Sequence, residues 1–257
     1  AVSCVSRCAS WRDTSKAIMP GPKPKEPEMP PLILDFDRSV GAVDGATRIG
    51  LGDWQERIRF GCSQRRLRAC FDFIAPQLPA AHGTVMLGSG DYHHLSWPLI
   101  ERVASDVQFD VVVFDNHPDN MRFPWGIHCG SWVRRVALLP QVRKLRVLGI
   151  SSGDVGGAHA WENYLAPLRR GKLEYWTVGV DVGWARRFGL GEAFHAFDSP
   201  SALLDRFVED QHGATTPVYL SIDKDVLSTE VARTNWDQGR LLEADLVRGI
   251  DALAGRL

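Results

Sequence analysis

The chain has 257 residues, 44% of them hydrophobic and 24% charged, with a formal net charge of -1 at pH 7. That balance excludes partners held by bulk charge, so neither nucleic acid nor an anionic membrane is expected. No apolar run reaches the ~20 residues of a membrane-spanning helix, and the length suits one large α/β domain.

In chain order, residues 1–31 read as a disordered tail. The first residue is Ala1 rather than Met, which reads as a fragment or a processed form. Residues 20–31 are so rich in proline that neither helix nor sheet is expected there. A single domain is expected over residues 32–257. Residues 32–37 read as its first strand and 41–52 as loop. Residues 64–74 read as a helix, because Leu67, Cys70, Phe71 and Ile74 recur at helical spacing. A second strand over 84–87 runs into Gly88-Ser89-Gly90-Asp91-Tyr92-His93-His94, and a helix follows over 95–103. Residues 109–114 are apolar on both faces, the pattern of a strand buried on both sides in a parallel sheet. Further strands are expected over 145–150, 173–180 and 218–222, with helices over 201–209 and 243–253. Alternating strands and helices predict a three-layer αβα sandwich around a mostly parallel sheet. The five cysteines, Cys4, Cys8, Cys62, Cys70 and Cys129, form no CxxC pair. They read as reduced thiols of a cytoplasmic protein.

Chemistry-bearing residues gather at three predicted strand ends. The central strand ends in Asp115-Asn116-His117-Pro118-Asp119, whose alternate residues project to one side of an extended chain. The strand over 218–222 ends in Ser221-Ile222-Asp223-Lys224-Asp225. The glycine-rich stretch before residue 95 adds an imidazole from His93 or His94. Open α/β sheets bind ligands at such carboxyl ends. Six ligand-type residues from three strand ends are enough for two divalent first-row ions sharing carboxylates. Taken singly, each stretch also reads as a polar loop or a helix cap.

These three stretches resemble, in order and spacing, the metal motifs of the arginase/ureohydrolase family: Gly-Gly-Asp-His, Asp-Ala-His-x-Asp and Ser-x-Asp-x-Asp. The resemblance covers roughly residues 84–242. It implies an arginase/deacetylase-like fold, two Mn ions per chain, and hydrolysis of a C–N bond in a guanidino or amidino small molecule by a hydroxide bridging the ions. Carried over by position, Asp115 and Asp223 bridge the ions, His93 and Asp119 complete one site, and His117 and Asp225 complete the other. His94 is the alternative to His93. Asp119 also orients the nucleophile, His128 carries a proton to the leaving nitrogen, and Asp154 binds substrate. A homo-oligomer is a further expectation.

The chain departs from the family pattern after Asp225. An Asp-Pro pair and a Pro-Gly-rich loop are replaced by Arg233-Thr234-Asn235-Trp236-Asp237-Gln238-Gly239. The late strand and substrate-holding Glu expected of the family have no counterpart, which reads as a C-terminal truncation or a divergent branch. Asn120 and Arg122 are out of step with the family's carboxylate-reading Asn. Three rivals stand beside this reading. One is a catalytically inactive ureohydrolase-like interaction module, and another is a deacetylase-like amidohydrolase with one Zn. The third is a haloacid-dehalogenase-type phosphatase using Asp35 and Asp37. Cys129 reads as a buried thiol rather than a nucleophile.

Overall fold

A computed structural model describes residues 2–4 by their backbone, together with residues 29–80, 83–103 and 106–257. The strands in chain order are β1 (Val2–Cys4), β2 (Leu32–Asp35), β3 (Thr47–Gly50), β4 (Gly61–Cys62), β5 (Val85–Met86), β6 (Phe109–Phe114), β7 (Ile127–His128), β8 (Val142–Ile150), β9 (Leu173–Val178), β10 (Phe194–Phe197) and β11 (Val218–Ile222). Nine of them form one sheet in the order β10-β9-β8-β6-β11-β1-β5-β2-β3, and β4 pairs with β7 separately. Five strands from β10 to β11 are parallel, as are β5, β2 and β3. Between these two groups β1 runs antiparallel to both β11 and β5.

The sheet is buried on both faces because successive side chains of a strand point to opposite sides. Along β6, Phe109, Val111 and Val113 pack into one core, while Val112 and Phe114 pack into a second. In β9, Tyr175 faces the first core and Trp176 the second. The first core is covered by helices Gln64–Ile74, Ser96–Glu101 and Val133–Ala137, through Leu67, Cys70, Leu99 and Val136. The second is covered by helices Pro200–Gln211 and Glu243–Asp251, through Leu203, Leu204, Phe207, Leu246 and Ile250. The molecule is therefore an α/β protein with a mostly parallel sheet between two helical layers, as the alternation of elements predicts.

Several elements differ from the sequence reading. Residues 2–4, placed there in a tail, form β1. The expectation for the rest of residues 1–28 lies outside the described residues. The stretch read as loop over 41–52 contains β3, a short edge strand whose side chains are mostly exposed. The helix expected over 95–103 is an α-helix only from Ser96 to Glu101, preceded by a 3-10 turn over Gly90–Leu95. No helix among the described residues is long and apolar enough to cross a membrane. What matters for function is that β5, β6 and β11 end on the same side of the sheet, because β6 is parallel to β11 and β1 is antiparallel to both β11 and β5.

Candidate metal centre

The segments after β5, β6 and β11 place six side chains together. Asp115 follows β6 directly, and its backbone N–H still donates to Leu148 O of β8 at 3.1 Å. Its carboxylate is divided between two imidazoles. Oδ2 lies 3.3 Å from His93 Nδ1, and Oδ1 lies 3.7 Å from His117 Nδ1. His93 Nδ1 also lies 3.0 Å from Asp119 Oδ2 and 3.5 Å from Asp223 Oδ2. His117 Nδ1 lies 3.1 Å from Asp225 Oδ2. Two groups of possible ligand atoms result, His93–Asp115–Asp223 and Asp115–His117–Asp225, each with its atoms within 4.8 Å of one another. Asp115 belongs to both. Asp223 falls in the His93 group alone, and its Oδ1 accepts the Asp225 backbone N–H at 3.2 Å.

The local sequence explains how these groups approach so closely. Gly90 carries the first segment past Asp223, where a Cβ would stand 2.8 Å from Asp223 Oδ2 and would have to displace that carboxylate. Asp119 adopts φ 45°, a left-handed conformation uncommon for a residue with a Cβ. Two contacts hold it there: its carbonyl accepts the Val133 N–H at 2.9 Å, and its Oδ2 accepts the Trp132 indole N–H at 2.6 Å. The Trp132 ring also packs against His93, with centroids 4.8 Å apart. Asn116, inside the central motif, ties three segments together. Its N–H donates to Asp225 Oδ1, its side-chain amide donates to Asp237 O, and its Oδ1 accepts from Ser151 N–H and O–H.

The donor set fits a divalent cation. Asp115, Asp119, Asp223, Asp225 and His93 are buried, and four carboxylates facing two imidazoles leave an excess of negative charge that burial makes costly. Asp115 Oδ2 is buried and accepts no hydrogen bond among the described residues. His93 offers Nδ1 to the carboxylates while Nε2 contacts Ser221 Oγ at 3.0 Å. That arrangement fixes the ring orientation as the outer-shell partner of a metal-ligating histidine does. Without a metal, protons supply the missing charge. Burial opposes the imidazolium of His93, but Asp115 and Asp119 outweigh it and lift its pKa to about 10. Burial likewise opposes the charge on His117, which Asp115 and Asp225 lift to about 11. Burial and the nearby Asp115 push Asp119 and Asp225 upward.

The cluster forms the floor of a cleft of about 750 Å³. His128 and Asp154 also line it, so the structure brings every sequence-predicted site residue to one cavity. The choice between His93 and His94 falls to His93. His94 is buried, neither of its ring nitrogens has a hydrogen-bond partner among the described residues, and it does not line the cleft. Burial and His93 hold its pKa down at about 3. His128 Nδ1 accepts the Gly130 N–H at 3.0 Å, so the neutral ring carries its proton on Nε2. Burial lowers its pKa. Asp154 accepts the Ser152 hydroxyl at 3.2 Å. Asn120 bridges Tyr164 O and the Tyr175 hydroxyl and stands off the cleft. Asp35 is held by an ion pair with Arg48 at 2.9 Å and by the Arg38 N–H, and does not line the cleft. Cys129, read from the sequence as a buried thiol, is only half-buried and lines the cleft, where burial still pushes its thiol up.

Sequence reasoning gave no role to Trp132, Asn116 and Phe60, and met Trp236 only within the loop that departs from the family pattern. The first two act through distant partners that no spacing reveals. Phe60 lines the cleft from a segment with no motif, and Trp236 lines it from that departing loop.

No family model matches the chain. It is similar to an uncharacterized protein of Thermotoga maritima, 28% identical over 170 residues, which is 66% of this chain and 52% of that protein. The chain thus spans about half the length of the curated relative it matches.

Proposed function

We propose that the protein is a hydrolase with two divalent metal ions, Mn in the first instance, which cleaves a C–N bond of a guanidino or amidino small molecule. The observation that carries this reading is the position of Asp115, which belongs to both groups of ligand atoms and offers one carboxylate oxygen to each. A shared carboxylate is the arrangement of two-metal hydrolytic sites, and it favours two ions over a single Zn. Asp115, His93, Asp119 and Asp223 would hold one ion, and Asp115, His117 and Asp225 the other. Bound there, the ions supply a water-derived nucleophile at neutral pH and positive charge at the reacting carbon.

The chain's own residues supply the rest. Trp132 and the Val133 N–H hold Asp119 in one orientation at the cluster, where it aligns the nucleophile. His128 lines the cleft with the proton of its neutral ring on Nε2, and from there a proton reaches the leaving nitrogen. Its lowered pKa makes the imidazolium a stronger acid but a smaller fraction at pH 7. Asp154 offers a carboxylate to a cationic substrate. The ion pair that occupies Asp35 counts against the phosphatase reading.

Metal content and turnover of two variants test the proposal together. Wild-type protein purified without chelators should carry two divalent ions per chain and hydrolyse simple amidines. Asp115→Ala should lose both ions. His128→Asn should keep them and lose roughly 10²–10⁴-fold in turnover. Wild-type metal content in Asp115→Ala would overturn the ligand assignment. Full metal loading with no turnover on any amidine or guanidine would leave an inactive module.

A further inference from the structure

The wall of the cleft above the metal-ligating cluster is aromatic. Phe60 and Trp236 meet there edge to face, with ring centroids 6.0 Å apart. Both also line a neighbouring cavity of about 820 Å³, so they stand on the boundary between the two spaces. Trp236 reaches the cluster itself, its ring centroid 6.3 Å from that of His117. These rings are 46% and 40% exposed, so they are not held there by core packing.

The backbone commits both residues to this position. Phe60 has φ 59°, a left-handed conformation that a bulky side chain rarely adopts. Two backbone hydrogen bonds hold it: its N–H donates to Asp91 O at 3.1 Å, and its carbonyl accepts the Cys129 N–H at 2.8 Å. A strained backbone that delivers an exposed ring to a cleft is the kind of outlier found at ligand clamps. The loop carrying Trp236 is also built. Gln238 donates to Leu227 O and Ala232 O and accepts the Thr234 N–H, while Thr234 Oγ1 bonds Trp236 at both N and O.

Charge selects what these rings would hold. Arg59 lines the cleft, but its guanidinium is paired with Asp91 at 2.9 Å and covers the Phe60 ring at 4.6 Å. No other Lys or Arg lines the cleft among the described residues. Asp154 and Asp237 line it as well. Four ligating carboxylates offset two divalent ions, so these two further acids leave the cleft net negative. A substrate with a free carboxylate would meet repulsion there, and a cation would be attracted. With Arg59 over a face of Phe60, the Trp236 face adds attraction for cations, and both rings add it for flat apolar groups.

We propose that Phe60 and Trp236 form an aromatic subsite that selects a cationic amidine or guanidine bearing a flat apolar substituent, in preference to an amino-acid substrate. This rests on the hydrolase reading for the reacting group but not for the rings.

Calorimetric binding of benzamidine and acetamidine to the Mn-loaded protein tests it. The two probes share the amidinium and differ in the aromatic ring. Wild-type protein should bind benzamidine at least about tenfold more tightly. Phe60→Ala and Trp236→Ala should each lose most of that preference, with metal content as the check on folding. Phe60→Leu and Trp236→Leu, which keep apolar bulk, should retain part of it. Equal affinity for the two probes in the wild type would overturn the subsite, as would a preference that survives in the double alanine variant. Because binding needs no turnover, an inactive protein with the preference would sink the hydrolase reading alone. An active protein without it would sink the subsite alone.

Discussion

Trp132 shows how a residue that cannot ligate a metal positions two that can. Its indole N–H fixes Asp119 Oδ2 at 2.6 Å, and its ring packs on His93, so one side chain orients two candidate ligands from opposite segments. Asp119 depends on such support because its own backbone sits at φ 45°. Trp132→Phe keeps most of the packing and removes only the donor. A lost outer-shell hydrogen bond typically costs 10–100-fold in metal affinity. Trp132→Phe should therefore bind Mn about tenfold more weakly, with a far-ultraviolet circular dichroism spectrum like that of the wild type. Unchanged affinity would show that the Val133 N–H alone holds Asp119. Asn116 works by the same logic through the backbone, joining the ends of β6 and β8 to the loop after β11.

The helix Glu243–Asp251 lies against β6, which leads directly into Asp115, and the contact turns on one glycine. A Cβ at Gly249 would stand 2.4 Å from Phe114 Cζ and 3.2 Å from Leu204 Cδ1. Phe114 is fully buried and immediately precedes Asp115, so a shift of its backbone would be passed to the cluster. Alanine in place of glycine gains up to ~1 kcal/mol of helix propensity, but overpacking a rigid core costs ~1–3 kcal/mol. Gly249→Ala should lower the midpoint of thermal unfolding by a few degrees and weaken metal binding together; a raised midpoint would show that the helix can shift outward. At this scale the sequence was legible where patterns were strong. The apolar run of β6, the helical spacing of Leu67, Cys70 and Ile74, and the alternation of strands and helices all predicted what forms. Short elements were not legible. β3 exposes most of its side chains, so no alternation marks it, and β4 and β7 are two residues each. β1 lies in the sheet through backbone pairing with β11 and β5, far from it in sequence. The candidate ligands were legible because strand ends impose short fixed spacings. Phe60 and Trp236 were not, since their meeting depends on two loops distant in the chain.

Across the whole molecule, a metal bound at the buried cluster would be coupled to protons and to stability. In the metal-free protein His93 and His117 titrate at about 10 and about 11, so both are charged at neutral pH. Their folded-state values lie above the ~6.5 of an unfolded histidine. The stability these ion pairs contribute is thus complete below about pH 6.5 and is lost as pH rises through 10 to 11. A metal ion requires the neutral imidazole, so binding must displace both protons. Loading the protein at pH 7 should release about two protons per chain from the histidines, and more if Asp119 or Asp225 also holds one. Calorimetry of Mn binding in two buffers of different ionisation enthalpy measures this count directly. Affinity should rise with pH between 6 and 9, because the competing proton is removed from groups that titrate higher still. Metal at about a thousand times its dissociation constant adds ~4 kcal/mol to stability, which for a domain of this size raises the unfolding midpoint by on the order of 10 °C. That rise should shrink at lower pH as protons recover the site. Proton release near zero, with an unfolding midpoint indifferent to metal at every pH, would mean that the cluster is a self-contained ion-pair network closing the carboxyl ends of the sheet.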